Sequence, residues 1–409
     1  VSLHSVVIVG AGQAGFQVAA SLRQAGFAGT VTLIGDEGEA PYQRPPLTKA
    51  YLLGKIGVDT LRFRKREYFV ENRIELLQDA ATAIDRTNQR VILKSGSAVA
   101  YDHLVLAVGA HNRALPVPGI ELDGVFGLRT LRDADALAVR VKQASTVSVI
   151  GAGFIGLEFA AVAAARGLAV HVIELGSRVM ARAVSAETSE LFREAHTAWG
   201  VTIDFKQGLA CIEGDQGRVT AIRTTDQRRV PTELVVFGVG VLPNVTLATE
   251  AGLDIENGIR VDTDLLTSDP SITAIGDCAS FPSRHSQDRV RIESVQNAVD
   301  QARCVAARLT GKSAPYAAVP WFWTDQQDLM LQIAGLQDGH DSTVVLGSAA
   351  SRKMSVLCFR RNHLVAVESV NRSADHMAAR KLLARAPTLT PAQASADDFD
   401  LKAFEGATR

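Results

Sequence analysis

Short apolar runs that break at glycine recur along the chain, and one pattern occurs twice. Ser5-Val-Val-Ile-Val-Gly-Ala-Gly-Gln-Ala-Gly15 returns as Thr146-Val-Ser-Val-Ile-Gly-Ala-Gly-Phe-Ile-Gly156. Apolar runs of this length, without polar alternation, predict parallel strands buried on both faces. Three glycines follow at the same spacing, Gly10, Gly12 and Gly15, then Gly151, Gly153 and Gly156. An Ala-rich helical segment comes next, then a second apolar run at 31–34 or 169–173. The second runs stop at acid, Asp36-Glu37 in one copy and Glu174 in the other. The pattern predicts two complete β-α-β units.

Residues 101–110 read as a further buried strand closing on a turn at Gly109, and 233–239 do the same before Gly240. Residues 272–278 supply another strand, with Asp277 just past its end. The order is a first nucleotide-binding unit, an inserted second one, and a return to the first. From about Trp321 the texture changes to strand-like runs (330–333, 342–346, 355–359, 364–370) with no helix between them. Arg360-Arg-Asn-His363 reads as a hairpin tip and 374–384 as a closing helix. Runs of strands after alternating elements signal a separate α+β domain. The expected boundaries are 1–112 and 246–323 for the first unit, 113–245 for the second and 324–409 for the last. The tail from Ala386 is expected to wrap the surface.

Composition acts mainly by exclusion. At 409 residues, 47% of them hydrophobic, the chain is long enough for two or three domains. Lys plus Arg number 43 against 44 Asp plus Glu, which argues against a nucleic-acid binder. No run approaches the roughly 18 apolar residues of a membrane span. Val1 opens almost directly into a strand, so no signal segment is read at the start. Cys211, Cys278, Cys304 and Cys358 form no Cys-x-x-Cys pair, zinc spacing or disulfide framework, and they read as small buried hydrophobes. A reducing cytoplasm is the expected compartment. The nine histidines show no ligand spacing and no metal is expected.

A lone glycine triplet is weak, but here each has its strand before it, its helix after it and its acid about 20 residues on. The first glycine makes the turn, the second lets backbone approach a pyrophosphate, and the third brings helix close to strand. The phosphates then sit on the helix N-terminus. Two such sites imply two dinucleotides, a held flavin (FAD) and an exchangeable nicotinamide (NAD), with hydride passing from one to the other. The first copy belongs to FAD, because the chain returns to it with Gly276-Asp277, whose carboxylate can hold ribityl hydroxyls. Glu174 favours NADH, since a carboxylate accepts from the adenosine ribose and repels a 2′-phosphate. Arg178 argues the other way, as a phosphate ligand. Residues 41–51 read as a loop stiffened by Pro45 and Pro46 that cannot join a sheet. Lys49 on that loop can place a cation near the flavin. Taken alone, Lys49 reads as a solvated surface lysine, and Trp321 and Trp323 as ordinary core.

Five segments carry a more specific likeness: Arg44-Pro-Pro-Leu-Thr-Lys49, Gly151-Ala-Gly-Phe-Ile-Gly-Leu-Glu158, Thr267-Ser-Asp-Pro270, Ile275-Gly-Asp-Cys278 and Pro320-Trp-Phe-Trp-Thr-Asp325. Together they resemble the NADH-dependent two-iron ferredoxin reductases that feed bacterial cytochrome mono-oxygenases, over essentially the whole chain. Ala107-Val-Gly109 departs from the Ala-Thr-Gly usual in related flavoproteins; it loses a hydroxyl and keeps the glycine turn. The resemblance implies the glutathione-reductase fold: an α/β protein of two tandem Rossmann-like dinucleotide-binding domains plus a C-terminal α+β interface domain. It implies that Ala14, Asp36, Lys49, Ala81, Arg129, Asp277 and Val295 contact FAD, with Arg44, Pro45 and Gly109 in the same site. It implies that Phe154, Glu158 and Glu174 line the NADH site, which Ile155 and Gly240 complete. Lys49 would sit at the reactive edge of the flavin and pair with Glu158, while Trp321 or Trp323 would flank the isoalloxazine.

Disulfide reductases of this fold need a cysteine pair beside the flavin, and none follows the first glycine motif here. Electrons must then leave the flavin directly, which fits a two-iron ferredoxin as acceptor and, through it, a haem mono-oxygenase. Candidate docking cations are Arg64, Arg289, Arg291 and Arg303, since ferredoxins of this class are acidic. The rival readings are a rubredoxin reductase, an NADH oxidase or quinone reductase, and a flavoprotein of the apoptosis-inducing-factor kind whose bound NADH switches partner binding. A monomer or weak dimer is expected.

Overall fold

Both predicted β-α-β units form, and each anchors a larger repeat. A computed structural model describes residues 3–385 and 388–408. In the first copy, strand Ser5–Val9, helix Gln13–Gln24 and strand Thr30–Gly35 lie in sequence; in the second, Thr146–Ile150, Phe154–Ala165 and Ala169–Glu174. Pairing is parallel in both, starting at Ser5 with Thr30 and at Thr146 with Ala169. A five-stranded parallel sheet grows around each pair. In space the first runs Ile74–Gln78, Thr30–Gly35, Ser5–Val9, His103–Leu106 and Ile272–Ala274. The second runs Thr202–Phe205, Ala169–Glu174, Thr146–Ile150, Leu234–Phe237 and Val125–Gly127. Val, Ile and Leu fill these strands because helices or antiparallel strands cover both faces.

The repeat extends further than the glycine motifs indicate. Between its third and fourth strands each copy inserts a three-stranded antiparallel meander: Ala81–Asp85, Arg90–Leu93 and Ala98–Ala100 in the first, Leu209–Asp215, Arg218–Thr224 and Arg229–Pro231 in the second.

Packing divides the chain into two units, Val1–Gln43 with Val58–His111 and Leu242–Phe322, and Arg44–Gly57 with Asn112–Val241 and Trp323–Arg409. In the first, helix Gln13–Gln24 lies against helix Val295–Leu309, an apolar face of each turned to the sheet core. The second also holds most of the C-terminal sheet, five strands ordered Trp321–Gln326, Leu329–Gly335, His363–Val370, Lys353–Arg360 and Ser342–Ser348. Arg361 and Asn362 both adopt positive φ at its predicted hairpin tip, as a two-residue turn requires. Helix Ser373–Ala384 closes it. Within this unit the buried Glu368 accepts from the Ser185 amide and hydroxyl, both at 2.7 Å, at the cap of helix Ala186–Ala198. Burial pushes the Glu368 carboxyl above its usual range, and the two Ser185 donors offset part of that cost.

One expectation changes and another gains detail. Residues 41–51 are more than a stiff loop, since Pro45–Thr48 winds into a 3-10 turn with Pro at its start. The tail is anchored by the buried Leu389, Ala394 and Leu401 and forms short helices Pro391–Ala394 and Leu401–Ala407. Val1, Ser2, Ala386, Pro387 and Arg409 lie outside the described residues.

Candidate functional site

Each glycine does separate work, the same in both copies. Gly10 has φ +109°, and a Cβ on it would fall 2.2 Å from the carbonyl oxygen of Ala107; Gly151 has φ +96°, with Gly238 oxygen at 2.7 Å. No other residue fits either position. A Cβ at Gly15 or Gly156 would lie 1.9 or 2.1 Å from the carbonyl oxygen of Gly10 or Gly151, so the third glycine lets helix meet strand. The middle glycine differs. A Cβ at Gly12 would meet nothing within 4 Å, and at Gly153 only Gly238 oxygen at 3.8 Å. That open space lies at the N-cap of each helix, at the carboxyl ends of the strands, where a pyrophosphate would approach. Both clefts fit a dinucleotide.

The acids are not equivalent. Glu174 ends its strand, and its carboxylate accepts from the amides of Ala152 and Gly176, each at 2.6 Å. The strand register puts Gly35, not Asp36, at the matching position of the first copy. A Cβ on Gly35 would lie 2.4 Å from the Ala11 methyl, so the acid falls one residue later, at the exposed Asp36. Arg178 donates to the carbonyls of Ala181 (2.8 Å), Val184 (2.8 Å) and Ser185 (3.2 Å). Its guanidinium braces the loop after Glu174 and is not turned outward as a phosphate ligand.

Lys49 is not a surface lysine. Its Nζ lies 2.9 Å from Glu158 Oε1 and 3.8 Å from Asp325, with a side chain 19% exposed. Glu158 is 7% exposed, in a helix buried on every side. A buried carboxylate needs partners, and three donors meet it: Lys49, the Thr48 hydroxyl on Oε2 and the Thr324 hydroxyl on Oε1, the last two at 2.6 Å. Thr48 and Thr324 carry no motif of their own. Alternation along Trp321–Gln326 could have found Thr324, since it puts Phe322, Thr324 and Gln326 on one face and the tryptophans on the other.

In the first unit, Ala14 is buried on the glycine helix, and Gly276 (φ +76°) approaches it so closely that a Cβ there would lie 3.2 Å from the Ala14 methyl. The half-buried Asp277 follows Gly276, and its carbonyl accepts from Arg291 at 3.1 Å. Val295 opens helix Val295–Leu309 behind the Ser294 cap, Gly109 turns at φ +66°, and Ala81 starts the first meander. In the second unit, Arg44 donates to the Arg129 carbonyl at 2.8 Å, ahead of Pro45. Phe154 and Ile155 open the second glycine helix, and Gly240 (φ +101°) faces Arg182.

The docking candidates separate. Arg64 and Arg303 are exposed, Arg64 over the Tyr68 ring and Arg303 4.0 Å from Asp300. Arg289 and Arg291 turn inward and drop out as docking cations. Arg289 donates to the carbonyls of Ser280 and Val261, and desolvation holds its guanidinium below the usual range. Arg291, 10% exposed, pairs with Glu293 at 2.6 Å. Burial also pushes the Cys278 thiol up to about 11, leaving it inert.

Comparison with known proteins gives the family and the fold. Residues 4–302 match the pyridine nucleotide-disulphide oxidoreductase family and 321–405 the reductase C-terminal family. Rhodocoxin reductase of Rhodococcus erythropolis is 51% identical over 399 residues, 97% of this chain and 93% of its own. The crystal structure of the ferredoxin reductase for the CYP199A2 system of Rhodopseudomonas palustris superposes with a TM-score of 0.96 at 51% identity, covering 98% of this chain and 99% of that one. The covalent putidaredoxin reductase–putidaredoxin complex gives 0.96 at 38% identity, covering 99% and 98%. The chain belongs to the pyridine nucleotide-disulphide oxidoreductase family. It is a flavoprotein oxidoreductase that uses FAD and NAD(H). Among the described residues, no helix is long and apolar enough to cross a membrane.

Proposed function

We propose that this chain is an NADH-dependent ferredoxin reductase whose acceptor is a two-iron ferredoxin supplying a haem mono-oxygenase. The observation that carries the reading is two dinucleotide clefts of matching geometry in a chain with no cysteine before Cys211. Without a thiol pair after the first glycine motif, no dithiol relay follows the flavin. The full-length likeness to reductases named for ferredoxins supports the same acceptor.

The first cleft holds FAD, through Gly10, Gly12, Ala14 and Gly15, with Asp36 and Asp277 on its hydroxyls and Ala81, Gly109 and Val295 alongside. The family likeness implies further FAD contacts from Arg44, Pro45, Arg129, Trp321 and Trp323. When bound, FAD takes two electrons from NADH and releases them one at a time. The second cleft orients NADH, through Gly151, Gly153, Phe154, Ile155, Gly156 and Gly240. Glu174 selects against the 2′-phosphate, and the engagement of Arg178 with backbone carbonyls supports NADH over NADPH. Lys49 serves the flavin edge as a cation whose direction Glu158 sets. Arg64 and Arg303 steer the acidic partner. By role, 1–112 and 246–323 form the FAD domain, 113–245 the NAD domain and 324–409 the interface domain, in a cytoplasmic monomer or weak dimer.

Steady-state NADH oxidation with a two-iron ferredoxin, against oxygen or a quinone alone, tests the reading. Ferredoxin should dominate the rate, whereas equal rates with oxygen alone would make the protein an oxidase.

A further inference from the structure

We propose that Thr324, Gln326 and His196 form a positioning relay that aims the Glu158 carboxylate at Lys49. This rests on the reading of Lys49 and Glu158 as the pair serving the flavin edge. The relay lies within the second unit and begins at Glu158 Oε1, which takes both Lys49 (2.9 Å) and the Thr324 hydroxyl (2.6 Å). Thr324 has one proton to give. Having given it to Glu158, it accepts from Gln326 Nε2 at 3.3 Å. The Gln326 carbonyl oxygen accepts in turn from His196 Nε2 at 2.7 Å. His196, Gln326 and Thr324 are 0%, 1% and 0% exposed, so no bulk water competes for these bonds.

Each bond runs one way, from His196 through Gln326 and Thr324 to Glu158. Burial lowers the His196 pKa to about 4, so at neutral pH its ring carries one proton. With that proton on Nε2, Nδ1 is left without a hydrogen-bond partner among the described residues. The reverse polarity would put the proton on Nδ1 and flip the Gln326 amide, drawing the Thr324 proton away from Glu158. One imidazole tautomer therefore reports the state of a carboxylate three hydrogen bonds away. Helix Ala186–Ala198, pinned at its start by Glu368, holds His196 in register for this.

Two measurements on the purified holoenzyme test the relay. The first is imidazole ¹⁵N NMR, with the His196 signals assigned by their loss in His196→Asn. The Nε2–H tautomer is expected, and an Nδ1–H tautomer would overturn the polarity. The second is acetylation of Lys49 by acetic anhydride at low conversion, read by mass spectrometry against surface lysines. Thr324→Val should raise Lys49 labelling about fivefold, the scale of one net hydrogen bond, and Thr324→Ser should bring it back. Gln326→Met should act in the same direction and carries the test if Thr324→Val does not fold. Unchanged labelling in the folded variants would overturn the relay. If Lys49→Ala left flavin reduction intact, the role of the pair would fail by itself, because tautomer and labelling are read independently of turnover.

Discussion

The two glycine units share one backbone built twice and differ in the side chains mounted on it. Both are a five-residue strand, a twelve-residue helix and a six-residue strand. The amides of Gly10 and Gly151 donate to Ile34 and Ile173 at 2.8 Å, and those of Phe16 and Leu157 to Gly12 and Gly153 at 3.0 Å. At the fifth helical position the copies differ in charge. The first has Gln17, which donates to Ser21, while the second has Glu158 with its three donors. At the strand end the first has Gly35 and the second Glu174. Backbone geometry is thus common to both clefts, while the side chains at these two matched positions differ in charge and in partners.

The largest expected effects test the shared geometry. Gly10→Ala and Gly151→Ala place a methyl into a backbone carbonyl at positive φ and should each cost about 3 kcal/mol or more, seen as a collapse of Tm. Gly12→Ala and Gly153→Ala should fold, because their methyls enter space the protein leaves open. Gly12→Ala should then purify depleted of FAD, while Gly153→Ala stays yellow and binds NADH poorly. A Gly12→Ala protein with full flavin content would break the assignment of the first cleft.

Next in size is the contrast at the fifth helical position. Lys49→Ala and Glu158→Gln should slow single-turnover flavin reduction by about 100-fold at saturating NADH, the mark of an interaction made in the transition state. Gln17→Ala, at the matching place in the first copy, should leave stability within about 0.5 kcal/mol and flavin reduction unchanged. Equal effects at both places would mean that the comparison reads the wrong residues.

Legibility in the sequence followed the range of each interaction. The strands, glycine turns and closing helix were readable because apolar runs and glycine spacing are local signals. The antiparallel meanders were not, because strands such as Ala81–Asp85 are short, half-exposed and without clean alternation. The partners of Glu158 were harder still: Thr48 and Thr324 lie 110 and 166 residues away along the chain. Threonines leave no periodic trace, and Lys49 emerged only through family likeness. Charge was the least legible property, since nothing local in Arg178, Arg289 or Arg291 shows a guanidinium turned onto backbone carbonyls.

A smaller effect tests the strand ends. NADH should be preferred over NADPH by about 100-fold in kcat/KM, equivalent to about 2.7 kcal/mol. Glu174→Ala should cut that preference to about tenfold, through weaker NADH binding, while Asp36→Ala leaves it alone and loosens FAD instead. Equal use of both nicotinamides by the unaltered enzyme would show that a group other than Glu174 decides.

The smallest effect concerns the outer surface of the first unit, where the exposed Arg303 rides on helix Val295–Leu309 behind the first glycine helix. A chain of net charge −1 has no global field to steer a partner, so any steering comes from local cations. Arg303→Glu should raise KM for ferredoxin about fivefold, within the usual reach of one exposed ion pair. Arg64→Glu should do less, since stacking on Tyr68 already engages its guanidinium. Ferricyanide reduction should be untouched in both, because a small inorganic oxidant needs no docking face. The loss should appear in the association rate and shrink as salt is raised, since exposed charges beyond about 8 Å are largely screened at physiological ionic strength. Arg289→Gln and Arg291→Gln are the sharpening controls. Their cations face inward, so they should alter flavin retention or stability and not the salt dependence. If ferredoxin reduction ignored salt and both reversals, these arginines would be ordinary solvated charge, and the docking face would have to be an apolar one.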